Sequence, residues 1–296
     1  MLVLEKITKQ FENVLAVDSV SFTVQPGRIF GFLGPNGAGK TTTIRMIMDI
    51  LRPDSGRVIY SGDTKMPDAR AFGYLPEERG LYQKIPIKEL LIYFANLRGL
   101  RTGEASKVID MYLERFDLSA RKDTKVGELS KGNQQKVQFI NCIIHNPDYL
   151  ILDEPFSGLD PVNQLILKEI LDEFKDHGKT IIFSTHQMDQ VERMCDDIAL
   201  INKGKMVVAG KLRDVKETYG KKILEVIPLS EADLNHAIFA DMKGEILDHK
   251  IHIPFEHESA IQEMIQKINQ TVSIRSIRIA EAGLEEIFIS LVRGEK

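Results

Sequence analysis

The chain has 296 residues, 43% hydrophobic and 28% charged, which is the make-up of an ordinary folded protein. That excludes wholesale disorder and provides enough apolar material for one large domain or two modest ones. A net charge of −4 gives no general field for attracting nucleic acid, so no nucleic-acid partner is expected. The two cysteines, Cys142 and Cys195, have neither disulfide-framework nor zinc-site spacing and are expected as small buried hydrophobes in a reducing compartment.

In chain order, residues 1 to 30 carry Val3, Val14, Val17, Val20, Phe22 and Val24 with a turn at Gln25-Pro26-Gly27, which predicts antiparallel strand. Ile29, Phe30, Phe32 and Leu33 form a strand-length apolar run. It leads into Gly34-Pro35-Asn36-Gly37-Ala38-Gly39-Lys40-Thr41-Thr42, a match to G-x-x-x-x-G-K-[ST]. Ile44, Ile47 and Met48 then repeat at helical spacing. Strand, glycine loop, helix is the context in which backbone N–H groups curl around phosphate oxygens. There Lys40 reaches the β/γ-phosphates and Thr41 offers a hydroxyl to Mg²⁺. Pro53-Asp54-Ser55-Gly56 breaks the chain before Val58-Ile59-Tyr60, and Ala71-Phe72-Gly73-Tyr74-Leu75-Pro76 gives another short strand.

From about residue 84 to 146 the period is helical: Leu90, Leu91, Phe94 and Leu97, then Val108, Met111, Tyr112 and Phe116, then Val137, Ile140 and Ile144. An inserted helical subdomain is expected. Ser130, in Leu129-Ser130-Lys131-Gly132-Asn133-Gln134-Gln135, is placed to cap the last of these helices. Leu150-Ile151-Leu152-Asp153-Glu154 sets two carboxylates at the end of an apolar strand, where α/β sheets present their ligands. Asp153 is suited to hold Mg²⁺, and Glu154 to orient and deprotonate an attacking water. Pro161 to His177, closed by Gly178, predicts a helix. Thr180-Ile181-Ile182-Phe183 predicts a buried strand ending at His186, whose ring can donate to a phosphate oxygen. A hairpin at Ile198 to Val208 turns at Gly204. Past about Tyr219 a strand, helix, strand, helix, strand, helix pattern predicts a small α+β domain, residues 219–296. The first residues do not read as a signal peptide, and no apolar run has membrane-spanning length.

Together and in this order, the motifs resemble the ATP-binding cassette family, the ATPase subunits of ABC transporters, over about residues 2 to 215. Gly34 to Thr41 matches the Walker A loop, Leu150 to Glu154 the Walker B strand with its glutamate, and Leu129 to Gln134 the signature motif. Ser157-Gly158-Leu159-Asp160 matches the D-loop, His186 the switch histidine and Phe11 the adenine-stacking aromatic. The resemblance implies an α/β P-loop core with an antiparallel β subdomain and the helical insertion in a nucleotide-binding domain, residues 1–215. It implies ATP and Mg²⁺, with Glu77 beside Thr41 and Asp153 as a metal ligand and Lys40, Glu154 and His186 at the chemistry. It further implies a head-to-tail homodimer closed by ATP, and a transmembrane permease on a separate chain that holds this one at the inner face of the cell membrane.

Two positions depart from the family: Glu77 stands where glutamine is usual, and Ser-Lys-Gly-Asn replaces the commoner Ser-Gly-Gly-Gln at 130–133. With the stretch at 75 to 82 and Leu284-Glu285-Glu286-Ile287-Phe288, they resemble the ABC-2 exporter branch that includes sodium-extrusion ATPases. The alternative is a soluble cassette ATPase acting on ribosomes or DNA. Such proteins typically carry two cassettes or a long coiled coil, and neither is read here.

Overall fold

A computed structural model describes residues 1–293 apart from 79, 221, 248, 256–258 and 282. Arg79, part of the 75–82 stretch, thus lies outside the described residues. The chain divides into two compact units, Met1–Leu212 and Arg213–Lys296.

In the first unit, β1 (Leu2–Phe11), β2 (Val14–Val24) and β4 (Ser55–Tyr60) form an antiparallel sheet in the order β2-β1-β4. The strand between them in sequence, β3 (Arg28–Leu33), leaves this sheet and enters another. The second sheet holds β5 (Phe72–Leu75), β6 (Tyr149–Asp153), β7 (Thr180–Thr185), β8 (Asp197–Asn202) and β9 (Lys205–Lys211), ordered β5-β6-β7-β3-β8-β9. All neighbours are parallel except the β8–β9 hairpin. The inner strands are buried end to end, as a parallel sheet covered on both faces requires. Between the sheets lies an apolar core built on aromatic pairs: Phe22 stacks on Phe30 with centroids 4.9 Å apart, and Phe72 on Tyr149 at 4.9 Å. Each such pair contributes about 1 kcal/mol beyond its buried area.

Register aligns the strand ends: Asp153 is opposite Ser184, and Leu33 opposite Thr185. The glycine loop, the two carboxylates and His186 therefore leave adjacent strands at one end of the sheet, although residues 34–42 lie far in sequence from Asp153, Glu154 and His186.

The inserted helices are α2 (Ile87–Leu97), α3 (Thr102–Arg115) and α4 (Lys131–Ile143). On α3 the buried stripe is Ala105, Ile109, Tyr112 and Leu113, while Met111 is exposed; on α2, Leu97 is exposed. The α3 sequence carries two overlapping apolar stripes, and the flanking helices decide which is covered. Asp160 caps α5 (Pro161–Asp176) by accepting from Asn163 N at 3.1 Å, with Pro161 in the first turn, and α6 (Met188–Met194) follows β7. Both cysteines are buried, and Cys195 ends α6 as its C-cap.

Past α7 (Leu212–Tyr219), the second unit is a four-stranded antiparallel sheet, β11-β12-β10-β13, of β10 (Lys222–Pro228), β11 (Glu245–Leu247), β12 (Lys250–Pro254) and β13 (Ile274–Glu281). Its helices are α8 (Ala237–Asp241), α9 (Ser259–Thr271) and α10 (Leu284–Arg293). Where the sequence predicts one strand between α8 and α9, the chain makes the β11–β12 hairpin. Leu224, Val226, Ile251 and Ile253 pack on Phe239, Ile261 and Ile268. Glu225 lies buried on β10, where it accepts from Arg278 Nε at 2.7 Å and Lys250 Nζ at 3.2 Å, so its charge is paired.

Candidate active site

The glycine loop between β3 and α1 (Lys40–Ile47) is tight for identifiable reasons. A Cβ on Gly34 would sit 2.3 Å from Ile201 O. One on Gly39, at φ +107°, would sit 2.4 Å from Ala16 O. Neither position admits a side chain without moving backbone, so the motif glycines are set by packing as well as by conformation. Ala38 O, behind the loop, accepts from Gly204 N at 2.9 Å, and Gly204 O accepts from Asp18 N at 2.8 Å, which pins the β8–β9 turn to the loop and to β2.

The Lys40 ammonium folds back onto its own loop, donating to Gly34 O at 2.7 Å and Pro35 O at 3.2 Å. Burial pushes its pKa below the ordinary lysine value, opposed by the carboxylates of Glu154, Asp153 and Glu77. The group is thus satisfied by carbonyls that an incoming anion can displace.

Asp153 is 1% exposed. Its Oδ2 accepts from the Thr41 hydroxyl at 3.0 Å, and its Oδ1 accepts from the Ser184 hydroxyl. A hydroxyl and a carboxylate in contact are hard oxygen donors, and one or two such ligands with phosphate oxygens are what Mg²⁺ takes, so the donor set fits that ion.

Glu154 is also buried, at 8% exposure, but its carboxylate points to different partners. Its backbone is left-handed at φ +51°, a strained conformation for glutamate, and its N–H donates to Ser184 O at 3.0 Å. Its carboxylate turns to the end of β7. Oε2 accepts from the Thr185 hydroxyl at 3.0 Å, and Oε1 accepts from His186 N at 3.0 Å and His186 Nδ1 at 2.7 Å. The turn behind it is anchored by Phe156, which is buried edge-on against Phe183.

Asn36, Gly37, Gly39, Lys40, Thr41 and Thr42 of the loop share one cavity of about 570 Å³ with Glu77, Asp153 and Glu154. Its far wall is Val14, Leu15 and Ala16 of β2 with Lys203 and Gly204 of the β8–β9 turn, none of which the sequence marked as a site residue. No local signal marks them, because the wall is made where two separate turns close on the loop. Gly34, Pro35 and Ala38 support the loop from behind.

Besides these three, five candidate residues stand outside the cavity lining: His186, bonded to Glu154, and Phe11, Ser130, Gly132 and Asp160. Phe11, at the end of β1, is 45% exposed with the Lys9 ammonium 5.7 Å from its ring centroid. Ser130 caps α4 by accepting from Asn133 N at 3.3 Å and is itself exposed. Gly132 approaches the turn at Gly158 so closely that a Cβ would lie 2.8 Å from Gly158 O. Asp160 is spent as a helix cap, and its bond from Asn163 holds its carboxyl below the ordinary carboxylate range.

Comparison with known proteins gives the same reading. Residues 17–157 match the family profile described as ABC transporter, and residues 210–292 match the C-terminal domain of DrrA1-3-like ATP-binding proteins. The chain is 41% identical to the ABC transporter ATP-binding protein YhaQ of Bacillus subtilis, covering 99% of this chain and 98% of that one. It is 37% identical to the Nod factor export ATP-binding protein I of Burkholderia pseudomallei, over 98% and 96%. A solved ATP-binding subunit of an ABC transporter superposes with a TM-score of 0.69 at 31% identity, covering 74% of this chain and 93% of that one. Full-length likeness at these identities, on a chain whose phosphate loop and paired carboxylates meet at the ends of adjacent strands, makes this protein a member of the ATP-binding cassette family, an ATPase subunit of the ABC transporter type.

Proposed function

We propose that the chain hydrolyses Mg-ATP between two copies of itself and thereby drives export through a permease on a separate chain. Among the described residues no helix is long and apolar enough to cross a membrane, so passage of cargo is assigned to that other chain, which would hold this one at the inner membrane face. The export direction rests on the likeness to a Nod factor export protein. The nucleotide-binding domain is taken as residues 1–215, and residues 219–296 as an accessory domain without chemistry of its own.

The observation that carries the catalytic reading is the division of labour between Asp153 and Glu154. Asp153 faces Thr41 and is suited, with Glu77, to hold Mg²⁺, which when bound would neutralise phosphate charge. Glu154 is strapped to His186 at the cavity edge, where it can orient a water toward the terminal phosphate and take its proton. Lys40 exchanges its loop carbonyls for β/γ-phosphate oxygens. Phe11 supplies the ring on which adenine stacks, and His186 a donor to the γ-phosphate. Ser130, Gly132 and Asp160 of the second copy close the nucleotide from the other side. Ser130 is exposed at the N-terminus of α4, where first-turn backbone donors can meet an anion.

Glu154→Gln tests this reading. The amide oxygen can still accept from His186 and the amide nitrogen can donate to Thr185 Oγ1, so the fold and ATP binding are expected to hold. Turnover should fall about 10² to 10⁴-fold with loss of the base. Light scattering with Mg-ATP should then show a stable homodimer. Parental turnover in this variant sinks the assignment.

A further inference from the structure

We propose that Gln138, a buried residue of α4, is the positioning residue that holds Glu77 against the nucleotide cavity. This rests on the reading of Glu77 as a ligand of the Mg-ATP site and adds the element that sets its place. Gln138 is 4% exposed. Its Nε2 donates to Pro76 O at 3.2 Å and to Glu78 O at 3.2 Å, so the two protons of one amide bracket Glu77 along the backbone. The bond pattern also assigns the amide: turned over, Oε1 would face two carbonyl oxygens. In the orientation present, Oε1 is buried without a hydrogen-bond partner. Leaving a buried acceptor unpaired is costly, and the fold bears that cost to keep both donors on the loop.

These two carbonyls are where the loop needs help. β5 ends at Leu75, which pairs with Leu152, and the ladder with β6 stops there. Beyond it the chain has no strand partner, yet Glu77 must present its carboxylate to the cavity that Asp153 and Glu154 line. α4 supplies the missing fixation from the side. One turn earlier, on the same face, Gln135 is also 4% exposed and donates from Nε2 to Pro155 O at 3.2 Å, next to Glu154. The helix whose first turn carries Ser130 and Gly132 thus grips the backbone beside both acidic residues. A shift of α4 on contact with a second copy would be passed to Glu77 through Gln138.

The test uses the full chain and a two-by-two set: parent, Glu77→Ala, Gln138→Met and the double variant. Methionine keeps length and volume while removing the donors. Equilibrium binding of a fluorescent ATP analogue is measured in EDTA and in Mg²⁺, together with kcat, KM and peptide-level amide exchange. Gln138→Met is expected to bind nucleotide in EDTA within about two-fold of the parent. It should lose about ten-fold of the Mg²⁺-dependent tightening and a similar factor in kcat, the size expected for two hydrogen bonds lost from the loop backbone. Exchange should accelerate at residues 75–78 and not in β6 or β7. The double variant should be no worse than Glu77→Ala alone, because both changes remove one effect. Multiplied losses in the double variant, or parental Mg²⁺ dependence in Gln138→Met, overturn the role of Gln138 and leave that of Glu77 standing. Parental behaviour of Glu77→Ala overturns the Glu77 reading and this inference with it. Should Gln138→Met fail to fold, Gln138→Asn, which stays polar but is one methylene too short to reach either carbonyl, is read by the same outcomes.

Discussion

The phosphate loop and the signature turn are both glycine-containing helix starts in the first unit, and they are finished to different degrees. Around Lys40 the chain satisfies itself: the ammonium is buried on two carbonyls, Thr41 is bonded to Asp153, and β2 with the Gly204 turn walls the cavity. Around Ser130 the bonds made within the chain hold the backbone, with Asn133 N donating to Ser130 Oγ and Gln134 Nε2 to Leu129 O and Val126 O, while Ser130 itself stays exposed. The difference teaches that one half of the site is assembled by folding and the other is presented for assembly. This is the arrangement that the proposed head-to-tail dimer needs.

The largest effect is expected from the finished half. Lys40→Ala removes a charge matched to the β/γ-phosphates and should lower ATPase turnover by at least ~10²-fold with markedly weaker nucleotide binding, read by steady-state kinetics and equilibrium dialysis. Retention of parental turnover would place the nucleotide elsewhere. The presented half should behave in the opposite way. Ser130→Arg, made in the Glu154→Gln background, should abolish the ATP-induced dimer while lowering monomer stability by only about 1 kcal/mol, the cost of losing the N-cap bond to Asn133. Thermal melts and light scattering on the same samples separate the two readouts. A dimer that persists with Ser130→Arg would show that closure does not bury this serine.

The smallest expected effect lies between the halves, where the helical subdomain meets the main sheet. His145 Nε2 lies 2.9 Å from Phe72 O and 3.0 Å from Arg98 Nη1. Burial, with a smaller contribution from Arg98, pushes its pKa down to about 4, against a weaker upward pull from the Phe72 carbonyl. Well above pH 6.5 the ring is neutral in both folded and unfolded chains and contributes no pH dependence. As pH falls from 6.5 toward 4 the unfolded chain takes up a proton that the folded ring refuses, so stability drops over that window. His145→Gln should flatten this segment of the melting-temperature profile by a few degrees relative to the parent. Identical profiles would mean that the ring protonates freely in the folded state.

Much of this architecture could be read directly from residues. The glycine loop, the Asp153-Glu154 pair, the Ser130 cap and the Pro161 helix start are local codes: a few adjacent residues set a turn, a cap or a strand end, and their chemistry travels with them. The order of these codes along the chain was enough for the family. What needed the tertiary structure was every relation between segments far apart. Which stripe of α3 is buried depends on its neighbours, because both stripes are apolar. The cavity wall at Leu15, Ala16 and Lys203 exists only because the turn at Gly204 is bonded to Ala38 and Asp18. The β11–β12 hairpin arises from strand pairing that a short polar interruption does not announce. Gln138 looks in sequence like one more polar residue on an amphipathic helix. Only the fold shows it 62 residues beyond Pro76 with both amide protons on the loop that carries Glu77. Local motifs are written in adjacent side chains, whereas a buried amide's partners are backbone carbonyls, which have no residue type to read.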